Sequence, residues 1–364
     1  MTAVSPEANS LTKEIRAEIE VSGSIPFARF MELALYHPEC GYYQMEASRI
    51  GREGDFITSV SVGEAFGQLL ASRFSKWLGE IDGPVRLVEA GAHDGTLAHD
   101  VLAWLAEYNQ PLFLRLKYTI IEPSKKRRGW QVNRLAAFDG QVEWFDSMSD
   151  MPKIRGVIFS NELLDAFPVH RISWSQSKRD WFEWGVSCQD EEFYWVAMES
   201  GISAWRSMLP AWPDSLLDVL PEKFCTELSP AAIEWWHFAA CHLVEGKLVA
   251  FDYGHSPDEW PSPNQPQGTV RGYRGHQHVD DILANPGGQD LTAHANFQLI
   301  KKIGEAAGLT TEQFTSQERF LNRSFADLVQ ASPQIGKAID PRQLKTLTHP
   351  AQMGQTFKVL LQSS

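Results

Sequence analysis

Long apolar runs are missing from this chain: no stretch approaches the roughly 20 residues that a membrane-spanning helix needs. Residues Met1 to Ser10 carry neither a signal-peptide apolar core nor an Arg-rich amphipathic pattern. Together these absences lead to the expectation of a cytoplasmic protein without a membrane span. Positive charge is short as well. A net charge of −13 argues against nucleic acid as the main partner, because neutralising phosphates requires clustered Lys and Arg. The single basic run, Lys125-Lys126-Arg127-Arg128, reads as the solvated face of a helix. Cysteine is sparse and scattered: Cys40, Cys188, Cys225 and Cys241 form no CxxC and no zinc spacing, and read as buried free thiols. His276 and His278 make an HxH with no acid or Cys cluster at ligand spacing, so they read as loop histidines and no metal site is expected. Internal repeats and low-complexity tracts are absent too.

What remains is a soluble globular composition, 43% hydrophobic and 22% charged, in a 364-residue chain long enough for two compact units or one domain with long insertions. The most informative stretch is Val85-Arg86-Leu87-Val88-Glu89-Ala90-Gly91-Ala92-His93-Asp94-Gly95-Thr96. An apolar run ending in an acid, two glycines four residues apart, then Leu97, Val101, Leu102 and Leu105 at helical spacing spell strand, tight turn, helix. Such a turn lets the backbone approach a ligand closely and offers it the free N–H groups of a helix start.

Ahead of this stretch, apolar spacing predicts two helices between 10 and 36, broken at Ser22-Gly23-Ser24 and restarted at Pro26, and a third over 61–79. Between them lies a polar, Gly-bounded loop, 51–59, a candidate binding loop. Residues 1–80 are therefore expected to form an N-terminal helical unit. Behind the central stretch, strands are expected at 116–122, 141–145 and 154–160 with helices at 96–108 and 124–137, which gives a parallel sheet with its ligand crevice at the strands' carboxyl ends. Glu89, Glu122, Asp146 and Glu162 each end one of these strands and should line one rim. Glu122 suits a ribose diol and Asp146 an exocyclic amine, a pairing that fits either NAD or S-adenosylmethionine.

From 169 the alternation gives way to an aromatic meander, and eight of the 13 tryptophans fall between 174 and 236. That concentration fits an insertion over 171–228 with its own packing, a docking surface, or ordinary core. A helix from Ser229, a strand over 247–254, further loop and helical additions at 256–295 and 316–347, and a last strand at 357–361 complete an α/β, doubly wound, seven-stranded core spanning 81–364.

Several separated motifs, taken in order, resemble one family. They are Phe30-Met31 with Pro38 and Gly41-Tyr42-Tyr43; Gly54-Asp55-Phe56-Ile57-Thr58-Ser59; Glu89-Ala90-Gly91 with Gly95-Thr96-Leu97; Asn161-Glu162-Leu163-Leu164-Asp165-Ala166-Phe167-Pro168; Asp252-Tyr253-Gly254; and Asp290-Leu291-Thr292-Ala293-His294. The chain resembles the MidA family of class I S-adenosylmethionine-dependent methyltransferases, related to the mitochondrial complex I assembly methyltransferase. The resemblance implies a Rossmann-like methyltransferase core, S-adenosylmethionine as cofactor, and methylation of protein arginine, with a respiratory complex I subunit as partner. Carried over by position, Glu89, Gly91 and Gly95 form the donor's cradle, joined by Gly54, Asp55 and Thr58 of the loop. Glu122 takes the ribose and Asp146 the adenine side, while Asn161 and Glu162 stand where methyl meets acceptor. The family has glycine where this sequence has His93. A side chain there crowds the donor, forces a costlier backbone, or contacts the donor carboxylate.

Methyl transfer from a sulfonium is an in-line displacement, governed by alignment and electrostatics rather than a covalent intermediate. For a guanidinium acceptor, Glu162 and Asp165 are the candidate catalytic carboxylates, with a helix- or turn-cap role as the alternative for Asp165. Competing readings are a small-molecule oxygen or nitrogen acceptor, a catalytically silent assembly protein that docks through the Trp-rich insertion, and, further off, a dehydrogenase.

Overall fold

The computed structural model describes residues 6–44, 58–198, 202–209, 212–255, 265–275 and 277–364. In chain order its N-terminal elements are α1 (Pro6–Ser22), β1 (Ile25–Pro26), α2 (Phe27–Tyr36) and α3 (Ala65–Gly79). There follow β2 (Val85–Ala90), α4 (Thr96–Tyr108), α5 (Gln110–Arg115), β3 (Leu116–Ile121), α6 (Lys125–Arg134), β4 (Val142–Phe145) and β5 (Ile154–Asn161). The aromatic region holds β6 (His170–Ser175), β7 (Asp180–Gln189), β8 (Glu192–Met198) and β9 (Cys225–Leu228). Last come β10 (Leu243–Tyr253), β11 (Arg271–Arg274), β12 (Gln277–Val279), β13 (Asp290–Thr292), β14 (Thr310–Ser316) and β15 (Phe357–Ser363).

The large sheet has seven strands in the order β14-β15-β10-β5-β2-β3-β4, and β15 alone runs against its neighbours. Its central strands are near-continuous apolar runs because both faces are covered. Leu87 and Val157 face one core with α3, α4 and the helix Gln317–Ala331, while Val88 and Ile158 face the other with helices Pro230–His242 and Phe297–Ala306. Strand order reverses between β2 and β5, which places the topological switch point, and the crevice it opens, at the carboxyl ends of these two strands.

A second sheet pairs β7 with β1, β6 and β8, and β6 with β9. It has an apolar cluster of its own, in which Trp174, Trp181 and Phe224 meet Trp205 and Trp212. Four of the clustered tryptophans thus pack together here, while Trp195 meets Phe27 and Trp236 joins the Val88 and Ile158 core of the large sheet. The three helices expected to form one N-terminal unit pack in two places. Leu11, Ile15 and Phe27 of α1 and α2 join Val186 and Leu291, whereas Phe66, Leu70 and Phe74 of α3 sit in the core under the large sheet. Helical spacing reveals an apolar face but not which partner covers it. The helix expected from 61 begins at Ala65, with a single 3-10 turn, Val60–Val62, ahead of it. Residues 256–295, expected as loop additions, contain a small antiparallel sheet of order β12-β11-β13.

Candidate functional site

The turn from β2 to α4 contains three left-handed residues, Gly91 (φ 80°), His93 (φ 47°) and Gly95 (φ 85°). A Cβ on Gly91 would sit a tight 3.2 Å from the Leu163 side chain, while one on Gly95 would meet the Gln131 backbone at an ordinary 3.4 Å, so conformation is the demand both positions share and close approach matters at Gly91. His93 adopts the backbone that glycine takes freely, and Gln131 Nε2 donates to its carbonyl at 2.9 Å. Asp94 then anchors the helix start: Thr96 donates to Asp94 Oδ1 from its amide (3.0 Å) and its hydroxyl (2.7 Å), and Arg134 donates to Oδ2 at 2.6 Å. Burial works upward on this carboxyl, but the neighbouring His93 imidazole and the hydrogen bonds from Thr96 outweigh it and hold its pKa well below the usual range.

Glu89, at the end of β2, is buried and accepts a 2.6 Å bond from the Tyr118 hydroxyl. Burial lifts its pKa to about 8 against the Tyr118 bond, which lowers it. At the end of β5, Glu162 occupies a left-handed conformation (φ 53°). Its Oε1 accepts from the Ser59 amide at 3.1 Å and from Asn161 Nδ2 at 3.0 Å. Glu162 Oε2 and Asn161 Oδ1 have no hydrogen-bond partner among the described residues. Burial lifts the Glu162 carboxyl to about 8, against the hydrogen bonds from Asn161 and Ser59.

These residues line a cleft of about 240 Å³. Glu89, Gly91, His93, Asp94 and Thr96 form one side, Asn161, Glu162, Leu163 and Ala166 another, and Thr58, Tyr36, Tyr43 and Arg127 the remainder. The expectation that four strand-end acids share one rim holds for Glu89 and Glu162 only. Glu122 is buried just outside the lining, bonded to the Ser124 amide (2.9 Å) and Gln131 Nε2 (3.2 Å). Asp146 points away: its side chain is 74% exposed and ion-paired with Arg128. Asp165 is buried and also outside the lining, and burial raises its pKa well above the ordinary value. Its carbonyl accepts from the Ala293 amide at 2.9 Å. Gly54 and Asp55 lie outside the described residues, while Thr58 is exchanged into a tight turn with Ser61 (2.9 Å).

Reading the basic run as a solvated helix face is corrected at Arg127. Its side chain is only 13% exposed, lines the cleft, lies over the Tyr43 ring at 4.9 Å and donates to the Tyr43 carbonyl at 3.1 Å. Tyr36 also escaped the sequence reading as a site residue; its hydroxyl donates to the Ala166 carbonyl at 2.9 Å. Tyr43 stood inside the Gly41-Tyr42-Tyr43 motif, the one signal that marked this wall.

A doubly wound seven-stranded sheet with one antiparallel strand and a glycine-bearing cradle at the switch point defines the class I methyltransferase fold. The cradle fits such a donor: a turn with two left-handed glycines, a helix start, and buried carboxylates of which one retains an oxygen unpartnered among the described residues. The family model described as S-adenosyl-L-methionine-dependent methyltransferase matches residues 69–315, and the chain belongs to that family. A crystal structure of a Burkholderia thailandensis superfamily member bound to S-adenosyl-homocysteine superposes with a TM-score of 0.84 at 31% identity, covering 100% of this chain and 95% of that one. The Drosophila melanogaster mitochondrial protein arginine methyltransferase NDUFAF7 homolog is 29% identical over 389 residues, 96% of this chain and 84% of its own length. Its Homo sapiens counterpart is 26% identical, covering 97% of this chain and 83% of its own length. The protein is an S-adenosylmethionine-dependent methyltransferase. The expected cytoplasmic location is overturned by these relatives, whose names place them in mitochondria. Among the described residues no helix is long and apolar enough to cross a membrane.

Proposed function

We propose that the methyl group goes to an arginine side chain of a protein, and that Glu162 with Asn161 receives the guanidinium. The observation that carries this reading is the pair of hydrogen-bond acceptors, Glu162 Oε2 and Asn161 Oδ1, that lie at adjacent positions of the cleft without a partner among the described residues. A buried acceptor left unpaired costs about 1–3 kcal/mol, so a site that keeps two is suited to a ligand rich in N–H donors. A guanidinium offers five such donors in a planar fork, and its charge favours the ionised form of a carboxyl that burial otherwise keeps near 8. The names of the relatives, protein arginine methyltransferases, support the same acceptor. By the family resemblance, a respiratory complex I subunit is the partner to try first.

S-adenosylmethionine supplies an electrophilic methyl group. On this reading Glu89, Gly91, Gly95 and Thr58 hold it at the switch point, with Glu122 toward the ribose. Glu162, fixed through Oε1 by Ser59 and Asn161, turns Oε2 to the acceptor nitrogen and takes the proton that nitrogen sheds. Asp165 lies buried behind the cleft and does not touch the acceptor. A Glu162→Gln protein should bind S-adenosyl-homocysteine as wild type does and lose about 100-fold or more in transfer of labelled methyl to protein arginine. Label appearing only in small molecules, or transfer unchanged by the substitution, would sink the proposal.

A further inference from the structure

We propose that Asp252 is the positioning residue that fixes the left-handed backbone of Glu162 and so aims its free carboxylate oxygen. The inference rests on the reading of Glu162 as the acceptor-binding group and concerns what holds that group in place.

The parallel ladder between β5 and β10 ends at the pair Asn161 and Phe251, and the Glu162 amide donates the last rung to the Phe251 carbonyl at 2.9 Å. Beyond it the β5 chain leaves the sheet, and the next amides have no strand carbonyl to meet. Asp252, fully buried on β10, replaces those carbonyls with its side chain. Oδ2 accepts from the amides of Leu163 (3.1 Å) and Leu164 (2.7 Å), and Oδ1 accepts from the Tyr253 amide (2.8 Å). Three donors converge on one side chain. A carboxylate can accept from all of them, while an asparagine would turn its own NH2 against an amide on one side or the other.

What the three bonds hold is a residue in an unfavourable conformation. Glu162 at φ 53° stays there only if the following turn is pinned. From that backbone its Oε1 reaches the Ser59 amide, which belongs to a different part of the chain. The pinned turn also sets Leu163, which packs against Gly91 across the cleft.

The test is a thermodynamic cycle over Asp252→Asn, Glu162→Gly and the double variant, read by Tm, by amide exchange at Ser59, and by calorimetry with S-adenosyl-homocysteine as the probe. Asp252→Asn in the wild-type background should lower Tm and speed Ser59 exchange at least about tenfold, with probe affinity held within about threefold. Because glycine takes the left-handed conformation unaided, the same substitution in the Glu162→Gly background should cost no more than about half that Tm loss. If Asp252→Asn folds only when Glu162 is also glycine, the proposal gains the same support. Equal Tm losses in both backgrounds, failure to fold in both, or Ser59 exchange unchanged by Asp252→Asn would overturn it and leave Asp252 a residue of the fold alone. A cycle that behaves as expected while Glu162→Gln still transfers methyl at the wild-type rate would keep the positioning and refute the acceptor reading, so the two failures are told apart.

Discussion

The Tyr118 hydroxyl on β3 donates to Glu89 Oε2 on β2 at 2.6 Å, a diagonal contact across strands whose register sets Leu87 opposite Tyr118 and Glu89 opposite Ile120. It is the bond that keeps a buried carboxyl from drifting higher still: burial alone drives Glu89 upward, and the result is a pKa of about 8. In the free protein at neutral pH, Glu89 is therefore mostly protonated. A donor carrying a positive sulfonium binds better beside the ionised form. Affinity for S-adenosylmethionine should rise between pH 6.5 and 8.5 with proton release, seen as a buffer-dependent heat in calorimetry. Tyr118→Phe removes the bond that favours ionisation and should move this rise to higher pH. Affinity flat across the range in wild type would remove Glu89 from donor binding.

The same carboxyls govern stability. Glu89 and Glu162 near 8, and Asp252 near 7, all have folded values above their ordinary ones. Burial is the leading cause in each. A carboxyl raised on folding favours the native state below its unfolded pKa, and that contribution is lost as pH climbs through the folded value. Tm of the free protein should accordingly fall as pH rises from about 5 to about 8.5. A Tm that climbs over that window would contradict the burial of these groups.

At position 93 a histidine takes the left-handed backbone at φ 47°, which costs a side-chain-bearing residue about 1–2 kcal/mol. Its ring lies 6.1 Å from Trp130 and its Nδ1 3.8 Å from Asp94, contacts too loose to repay that strain in full. His93→Gly is expected to raise Tm by about 1–2 °C, with S-adenosyl-homocysteine binding held within about threefold or improved. A tenfold loss of binding would mean instead that the imidazole grips the donor.

Arg127 and Asp146 lie on opposite sides of α6's influence on the site. Arg127 bridges Tyr43 to the neighbourhood of Glu122, with its Nη1 3.9 Å from Glu122 Oε2, while the Asp146 carboxylate stands in solvent beside Arg128. Arg127→Ala should weaken donor binding at least about tenfold, since it both unseats Tyr43 and leaves a buried carboxyl without its cation. Asp146→Asn should change it less than about threefold, because exposed pairs contribute little. Equal effects from the two substitutions would show that Asp146 turns inward when donor is bound.

Residues whose role depends on local pattern were legible in the sequence. Val85 to Ala90 is an apolar run and Leu97 to Leu105 an amphipathic one, so the β2 turn, α4 and the switch-point cleft could be placed by period and glycine spacing alone. Residues whose role depends on what comes to cover them were not. Arg127 looks like its solvated neighbours until Tyr43, 84 positions earlier, is laid against it. Asp252 reads as one more strand-end acid, because nothing in its own segment announces that Leu163 and Leu164 lack acceptors. Glu122 and Asp146 end adjacent strands by the same rule, yet one is sealed by Gln131 and Ser124 and the other is drawn outward by Arg128. Strand position fixes which edge an acid occupies, and side-chain partners from other segments fix where it points.

Gln317 ties the C-terminal helices to the cleft. It is fully buried at the start of the helix Gln317–Ala331, accepts from the Ser59 hydroxyl at 3.1 Å and donates from Nε2 to the Leu347 carbonyl at 3.1 Å. Ser59 in turn gives its amide to Glu162, so a single amide side chain stands two hydrogen bonds away from the Glu162 carboxylate. Gln317→Leu preserves volume but strands a hydroxyl and a carbonyl in the core, at a cost of about 2–3 kcal/mol and a Tm fall of about 3–4 °C. Ser59 should also gain freedom, so amide exchange there should quicken while S-adenosyl-homocysteine binding stays within about threefold. Gln317→Glu offers the same acceptor to Ser59 and should protect its amide better than the leucine variant at equal Tm. Were both variants to leave Ser59 exchange at the wild-type rate, the helix would support the fold without steadying Glu162.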